Sequence, residues 1–171
     1  MARLMTTILL GTALLATAAC SKKRPEVLPP APGDAVGGTG SGADGQGGNF
    51  APGSRGDFER SVTSNTVNFA LDRYDIDARA RTILDSQAEW LARYPNVPVS
   101  LEGHADERGT REYNLALGDR RANAAKNYLA GRGINPARIS TISYGKERPI
   151  ALGSDESSWA QNRRAVTIVL N

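Results

Sequence analysis

The chain has 171 residues, 40% of them apolar, with a formal charge of +3 at pH 7 from 21 basic and 18 acidic side chains, one His and one Cys. That length suits one ordinary domain with extensions, and the interspersed charges argue against a dedicated nucleic-acid binder, which clusters its Lys and Arg. A single Cys excludes an intrachain disulfide framework, and one Cys with one distant His argues against a zinc site.

Residues 1–19 open with one positive charge, Arg3, followed by an uncharged, mostly apolar run from Leu4 to Ala19. The run is short for a spanning helix, which needs roughly 20 residues. A charged start, a short apolar middle and small residues at the end describe a secretory signal peptide. Ala18-Ala19-Cys20 resembles the lipobox of bacterial lipoproteins, in which the Cys is lipidated and becomes the mature N-terminus. Thr17 stands where that pattern usually has Leu. Ser21 after the Cys resembles the signal for sorting to the outer membrane.

Residues 20–56 show no sustained helical or strand period. Gly, Ala, Pro, Ser and Asp dominate residues 29–56, where Val36 and Phe50 are the only large apolar residues. Such a segment buries too little apolar surface to offset its chain entropy and reads as a disordered linker. A Gly-rich coil of this length has a root-mean-square span of roughly 30–36 Å. The domain is expected over 57–171, and about 115 residues suffice to fold alone.

Within it, Thr66–Leu71 reads as a short strand, with Asp72 to Asp75 turning out of it. Ala80, Ile83, Leu84, Ala88 and Leu91 recur at helical spacing and predict a helix over 77–93, stopped by Pro95. Val97, Val99 and Leu101 alternate with polar residues, a half-buried strand in which Pro98 suggests an edge or a bulge. His104 to Gly109 reads as a polar loop. Thr110 is a candidate N-cap, with Glu112 favoured in the first turn, for a helix ending at Gly131 or Gly133. Ile139–Tyr144 is a third strand. Gly145 to Asn162 is a long loop with one helical turn near Ser157. Ala165–Leu170, apolar and β-branched, is a fourth and central strand. The class is α/β (α+β), a β-α-β-α-β-β mixed sheet with helices packed on one face.

The densest polar stretch is EGHADERGTREYNLALGDRRANAAKNYL, residues 102–129. It closely resembles the peptidoglycan-binding segment of the OmpA-like domain family. The resemblance extends to FALDRYD (69–75), SYGKERP (143–149) and NRRA (162–165), and so covers most of residues 65–171. It implies a lipoprotein that binds the stem peptide of peptidoglycan through the free, zwitterionic end of meso-diaminopimelate, with no catalysis and no cofactor. Asp106 matches the family residue that takes the ammonium, and Arg121 the one that takes the carboxylate. A guanidinium fork suits a carboxylate better than Lys would. Leu71 and Asp72 would form the opposite wall, offering backbone N–H groups, although the family often carries an aromatic residue where this chain has Leu71. Arg108, Thr110, Asn114 and Leu117 would line the rest. The implied partners are peptidoglycan, TolB and the other components of the Tol-Pal system, and the outer membrane through lipid on Cys20; nucleic acid is not among them.

The residues by themselves leave other readings open. Asp106 can cap a turn, and Arg121 can pair with Asp106 or Asp119. His104 reads as a hydrogen-bonded structural residue. One of Arg163 and Arg164 is expected to brace the cleft and the other to be solvated. Trp90 and Trp159 read as packing residues, Trp159 also as a residue of a partner surface. A wall-cleaving triad of His104, Asp106 and Ser143 lacks any Gly-x-Ser-x-Gly motif. An anchor whose head grips another envelope protein, rather than the wall, is the third class.

Overall fold

The computed structural model describes residues 50–170; the expected signal segment 1–19, Cys20 and the linker as far as residue 49 lie outside them. Among the described residues the order is α1 (Arg55–Ser61), β1 (Thr66–Asn68), α2 (Ala78–Arg93), β2 (Val99–His104), α3 (Arg111–Gly131), a 3₁₀ turn (Pro136–Arg138), β3 (Ile139–Gly145), α4 (Glu156–Asn162) and β4 (Arg164–Val169). The four strands form one sheet in the order β1-β4-β2-β3. β4 runs antiparallel to both neighbours, whereas β2 and β3 are parallel, joined through α3. The sheet is therefore mixed, and β4 is interior as its apolar sequence requires.

Strand alternation assigns the two faces. Val67, Val99, Leu101, Ile139, Ala165 and Val169 point to one side, where they share a buried core with Leu84, Trp90 and Leu91 of α2 and Ala122, Ala125 and Leu129 of α3. Ser100, Glu102 and His104 of β2 point to the other. Gln87 is a buried polar member of the core, and both polar atoms of its amide have a partner. Its amide oxygen accepts from the Thr167 hydroxyl at 2.7 Å and its NH₂ donates to the Ser64 carbonyl at 2.8 Å.

Four elements differ from the sequence expectation. Helical structure begins at Arg55, ahead of the expected domain start at 57, because the short α1 is held by long-range contacts. Ser54 caps it, Phe58 is fully buried against Trp90, and the Asp57 carboxylate accepts from the Trp90 indole N–H at 3.0 Å. β1 ends at Asn68 rather than Leu71, since the chain turns at Ala70, whose carbonyl accepts from Arg73 N–H. β2 starts after Pro98, runs through His104 and is interior, not an edge; its irregularity lies at Gly103/His104. The expected turn near Ser157 is the whole helix α4, capped by Asp155. The cap at Thr110 and the end of α3 at Gly131 are as the sequence indicates.

α3 crosses β2 at its closest approach through two glycines. A Cβ on Gly103 would fall inside the van der Waals radius of the Gly118 carbonyl oxygen, and one on Gly118 would collide with Ser143 Oγ. Neither obstacle can swing aside cheaply, because the first is backbone and Ser143 Oγ donates to the Leu115 carbonyl at 2.7 Å. Gly103→Ala is expected to cost about 3 kcal/mol or more, at the upper end of overpacking effects. Urea unfolding checks this, with an unchanged midpoint refuting the close-packing account.

Candidate functional site

β2 ends at His104, and the next residue is pinned by a hydrogen bond from Ala105 N–H to the Gly145 carbonyl at 2.8 Å. The chain then bends and delivers Asp106 into a nearly closed position, 5% exposed. Its carboxylate accepts from Arg108 Nη2 at 2.6 Å, from Arg108 Nε at 3.3 Å and from the Arg108 backbone N–H at 3.1 Å. Arg163 Nη1 adds a fourth contact at 3.3 Å. Burial alone would raise this carboxyl, but the bonds from Arg108 and then Arg163 outweigh it and hold it below the ordinary value of 3.8.

Of the pair expected to supply one brace for the cleft, Arg163 is the one that reaches the acid. It leaves the α4–β4 junction and is itself buried. Its Nε donates to the Phe69 carbonyl at 3.0 Å and its Nη2 to Glu156 Oε1 at 2.6 Å. One guanidinium thus joins the loop acid Asp106, the end of β1 and helix α4. The expectation that one arginine of this pair is solvated is not met. Arg164 is 5% exposed, donating to the Asn162 and Arg148 carbonyls.

Arg121 lies on α3 one turn past Gly118, so the close approach of that turn carries it beneath the end of β2. It is fully buried, where the sequence suggests a group at the border of a surface cleft. Neither Asp106 nor Asp119 is its hydrogen-bond partner. Its Nη1 donates to the His104 carbonyl at 2.8 Å, Nε to Arg73 O at 2.9 Å and Nη2 to Ala70 O at 3.2 Å. Burial first, and then the Arg163 charge, depress the guanidinium to about 10, so it stays charged at neutral pH.

The carbonyls of Ala70 and Arg73 bracket the expected wall. Leu71 is 49% exposed, and Asp72 adopts φ +55°, a conformation uncommon for residues other than glycine. Among the described residues neither the Leu71 nor the Asp72 N–H has a hydrogen-bond partner. Both N–H groups are therefore available to an outside acceptor. Across the mouth, Tyr113 Oη donates to Asp72 Oδ1 at 3.2 Å.

The remaining expected residues divide. Asn114 is buried, and its amide donates to the Arg108 carbonyl at 2.8 Å, supporting the loop from behind. Thr110 caps α3 by accepting from the Tyr113 N–H. Leu117 is buried and offers little surface to a ligand. Trp159 stands under Arg108, the guanidinium carbon 4.0 Å from the ring centroid, and its indole N–H donates to Glu107 Oε1 at 3.0 Å. Trp90, by contrast, is a core residue.

His104 is buried as a structural residue would be, but it is not hydrogen-bonded. Both ring nitrogens lack a partner among the described residues, and the ring packs on Tyr144 at 5.5 Å between centroids. Strand parity sends it to the face away from Ser143, whose hydroxyl is held by Leu115. The three groups of the imagined triad therefore do not converge.

The chain matches the OmpA family model over residues 68–163. It is 51% identical to a protein of Rhizobium meliloti strain 1021 named peptidoglycan-associated lipoprotein, over 91% of this chain and 82% of the relative. A Brucella abortus protein of the same name is 49% identical, over 91% and 86%. Among solved structures, the crystal structure of the peptidoglycan-associated lipoprotein from Burkholderia pseudomallei aligns with a TM-score of 0.63 and 40% identity, covering 67% of this chain and all (100%) of that one. The cell wall anchor of the T6SS from Pseudomonas aeruginosa, at 20% identity and a TM-score of 0.56, covering 71% of this chain and 100% of its own, shares the fold.

The buried charges make stability depend on pH in a defined direction. Burial first, and then the fields of Arg164 and Arg148, lower His104 from 6.5 to about 4. The folded protein therefore holds a neutral imidazole where the unfolded chain binds a proton. Stability is full above pH 6.5 and falls as pH drops toward 4, by roughly 3 kcal/mol at 1.4 kcal/mol per pKa unit. Asp106, whose carboxyl is depressed, adds to the loss at still lower pH. Urea midpoints between pH 7 and 4 should show the decline, and His104→Leu should remove the part above pH 4. An identical decline in that variant would assign it elsewhere.

Proposed function

The chain belongs to the OmpA family, among its peptidoglycan-associated lipoproteins, and on that premise we propose that it anchors the outer membrane to peptidoglycan without chemistry. Lipid on Cys20 holds the membrane end, the linker spans the gap, and the domain grips the wall. The ligand group is the zwitterionic end of meso-diaminopimelate in the stem peptide. Asp106 takes its ammonium. Its carboxylate lies toward the free N–H groups of Leu71 and Asp72, in the positive field of Arg121.

The observation that carries this reading is the state of Asp106. A carboxylate kept ionised at 5% exposure, between a half-open and a closed guanidinium, is a prepared acceptor for a cation. Arg121 supports the same reading from beneath, since its bonds to Ala70 and Arg73 hold the N–H groups of the wall in place. We extend the same proposal to the Tol-Pal system, with TolB as a protein partner and a role in drawing the outer membrane inward at cell division; the likeness to peptidoglycan-associated lipoproteins supports it.

Arg121→Ala is a poor test, because three carbonyls would lose their donor and the fold would suffer. Asp106→Asn keeps the shape and removes the charge. It should weaken co-sedimentation with purified sacculi at least tenfold, the scale of a charge-assisted hydrogen bond, with the urea midpoint reporting that the domain remains folded. Undiminished binding would dismiss the site. Cys20→Ser should move the protein from the membrane fraction to the soluble periplasmic fraction; continued membrane fractionation would mean that the apolar segment itself anchors it.

A further inference from the structure

Of the two guanidiniums bonded to Asp106, Arg108 is the freer. Its side chain is 34% exposed, whereas those of Asp106 and Arg163 are each 6% exposed. Arg163 is fixed at three points, on Phe69 O, Glu156 and Asp106. Arg108 has one ionic partner, two residues away, and a flat surface to rest on. That surface is the Trp159 ring, held in place by Glu107. A guanidinium can leave a carboxylate and stay over such a ring, because stacking does not use its N–H edges.

The charge count of the cleft explains why it would leave for one ligand and not another. Arg108, Arg121 and Arg163 are set against Asp106, Asp72 and Glu156, and the neighbouring Glu107 against Lys146, so the unliganded site carries matched charges. An ammonium that takes Asp106 from Arg108 leaves the cleft with one uncompensated positive charge and a displaced guanidinium. A ligand that brings a carboxylate with its ammonium restores the balance, and the released Arg108 fork has an acceptor to meet.

We infer that Arg108 is the specificity-determining residue of this site: an internal counter-ion that occupies Asp106 until a ligand carrying both an ammonium and a carboxylate displaces it. The inference rests on the wall-binding reading above. It makes Arg108 a filter against simple amines, so that a stem peptide carrying lysine, which lacks the carboxylate, is rejected by an occupied acceptor.

Calorimetric titration of the full chain with two synthetic stem peptides, identical except for meso-diaminopimelate or lysine at one position, tests both levels. The wild type should prefer the diaminopimelate peptide by about tenfold or more. Arg108→Ala should bind the lysine peptide several-fold more tightly than the wild type does, collapsing the preference to less than about threefold. Retained preference in Arg108→Ala, or an equal loss for both peptides, would make Arg108 a plain wall residue and overturn the inference alone. Binding of neither peptide by the wild type would overturn the wall reading and this inference with it. A second measurement needs no variant: saturating the wild type with the diaminopimelate peptide should shift the Arg108 Nε–H resonance away from its salt-bridged position. An unmoved Arg108 resonance at saturation would equally refute displacement.

Discussion

The guanidinium of Arg121 is the tie on which the site depends. It is fully buried, yet spends its donors on peptide carbonyls from two distant segments, the end of β2 and the Ala70–Arg73 turn. Burying a guanidinium costs several kcal/mol and is tolerated only where its hydrogen bonds are met in good geometry. Three carbonyl dipoles meet them here, and the carboxylates of Asp106 and Asp72 lie near enough to favour the charge. The arrangement works in both directions. The carbonyls satisfy the arginine, and the arginine fixes the shape of the turn, including the left-handed Asp72. The opposite end of the sheet uses the same device: Arg138 donates to the Leu91, Tyr94 and Val97 carbonyls and closes the turn after α2.

What allows Arg121 to reach that position is a steric matter decided elsewhere. Gly118 meets Gly103 with no side chain between them, which lowers the first half of α3 onto β2. Arg121, one turn later on the same helix face, is thereby carried under the strand end rather than out to solvent. The loop that follows β2 must then pass over the arginine, and Asp106 arrives beside it. The positions of the acid, the base and the wall are thus consequences of one helix–strand approach.

Much of this was legible in the sequence. The periods over 77–93 and 97–101, the Thr110 cap, the glycines after Leu129 and the β-branched last strand indicate a mixed sheet with a central final strand, as the structure has it. Residues 102–129 point to the acid and the base by resemblance. Other features were illegible for identifiable reasons. α1 has a single buried apolar residue and a glycine, so it shows no period; it exists because Asp57 and Phe58 meet Trp90, far along the chain. β2 resembled an edge because Pro98 precedes it, but a proline before the first ladder residue removes no bond. The burial of Arg121 and Arg163 was the larger omission. Local sequence does not reveal that a charged side chain will find carbonyls about fifty or ninety positions away, and a buried arginine with such partners reads like any surface arginine on a helix.

The acid of the cleft is held by two guanidiniums of opposite character, and that contrast bears on how a wall anchor must behave. Arg163 comes from the far end of the chain, is buried, and cannot be given up without loosening β1, α4 and the loop together. Arg108 comes from the same loop, two residues on, and is about a third exposed to water. A carboxylate satisfied only by the first would be an open, highly charged acceptor for any cation in solution. One satisfied by two buried partners would be closed to all. On the inference above, with one fixed and one exchangeable partner, the site trades a salt bridge of its own for a ligand's, so the net free energy of gripping is the difference of two similar terms. Such a grip is weak at any single contact and reversible. An anchor of the kind proposed, lipid-bound and on a long linker, does not need a tight single contact, because many copies facing one continuous polymer hold collectively what each can individually release.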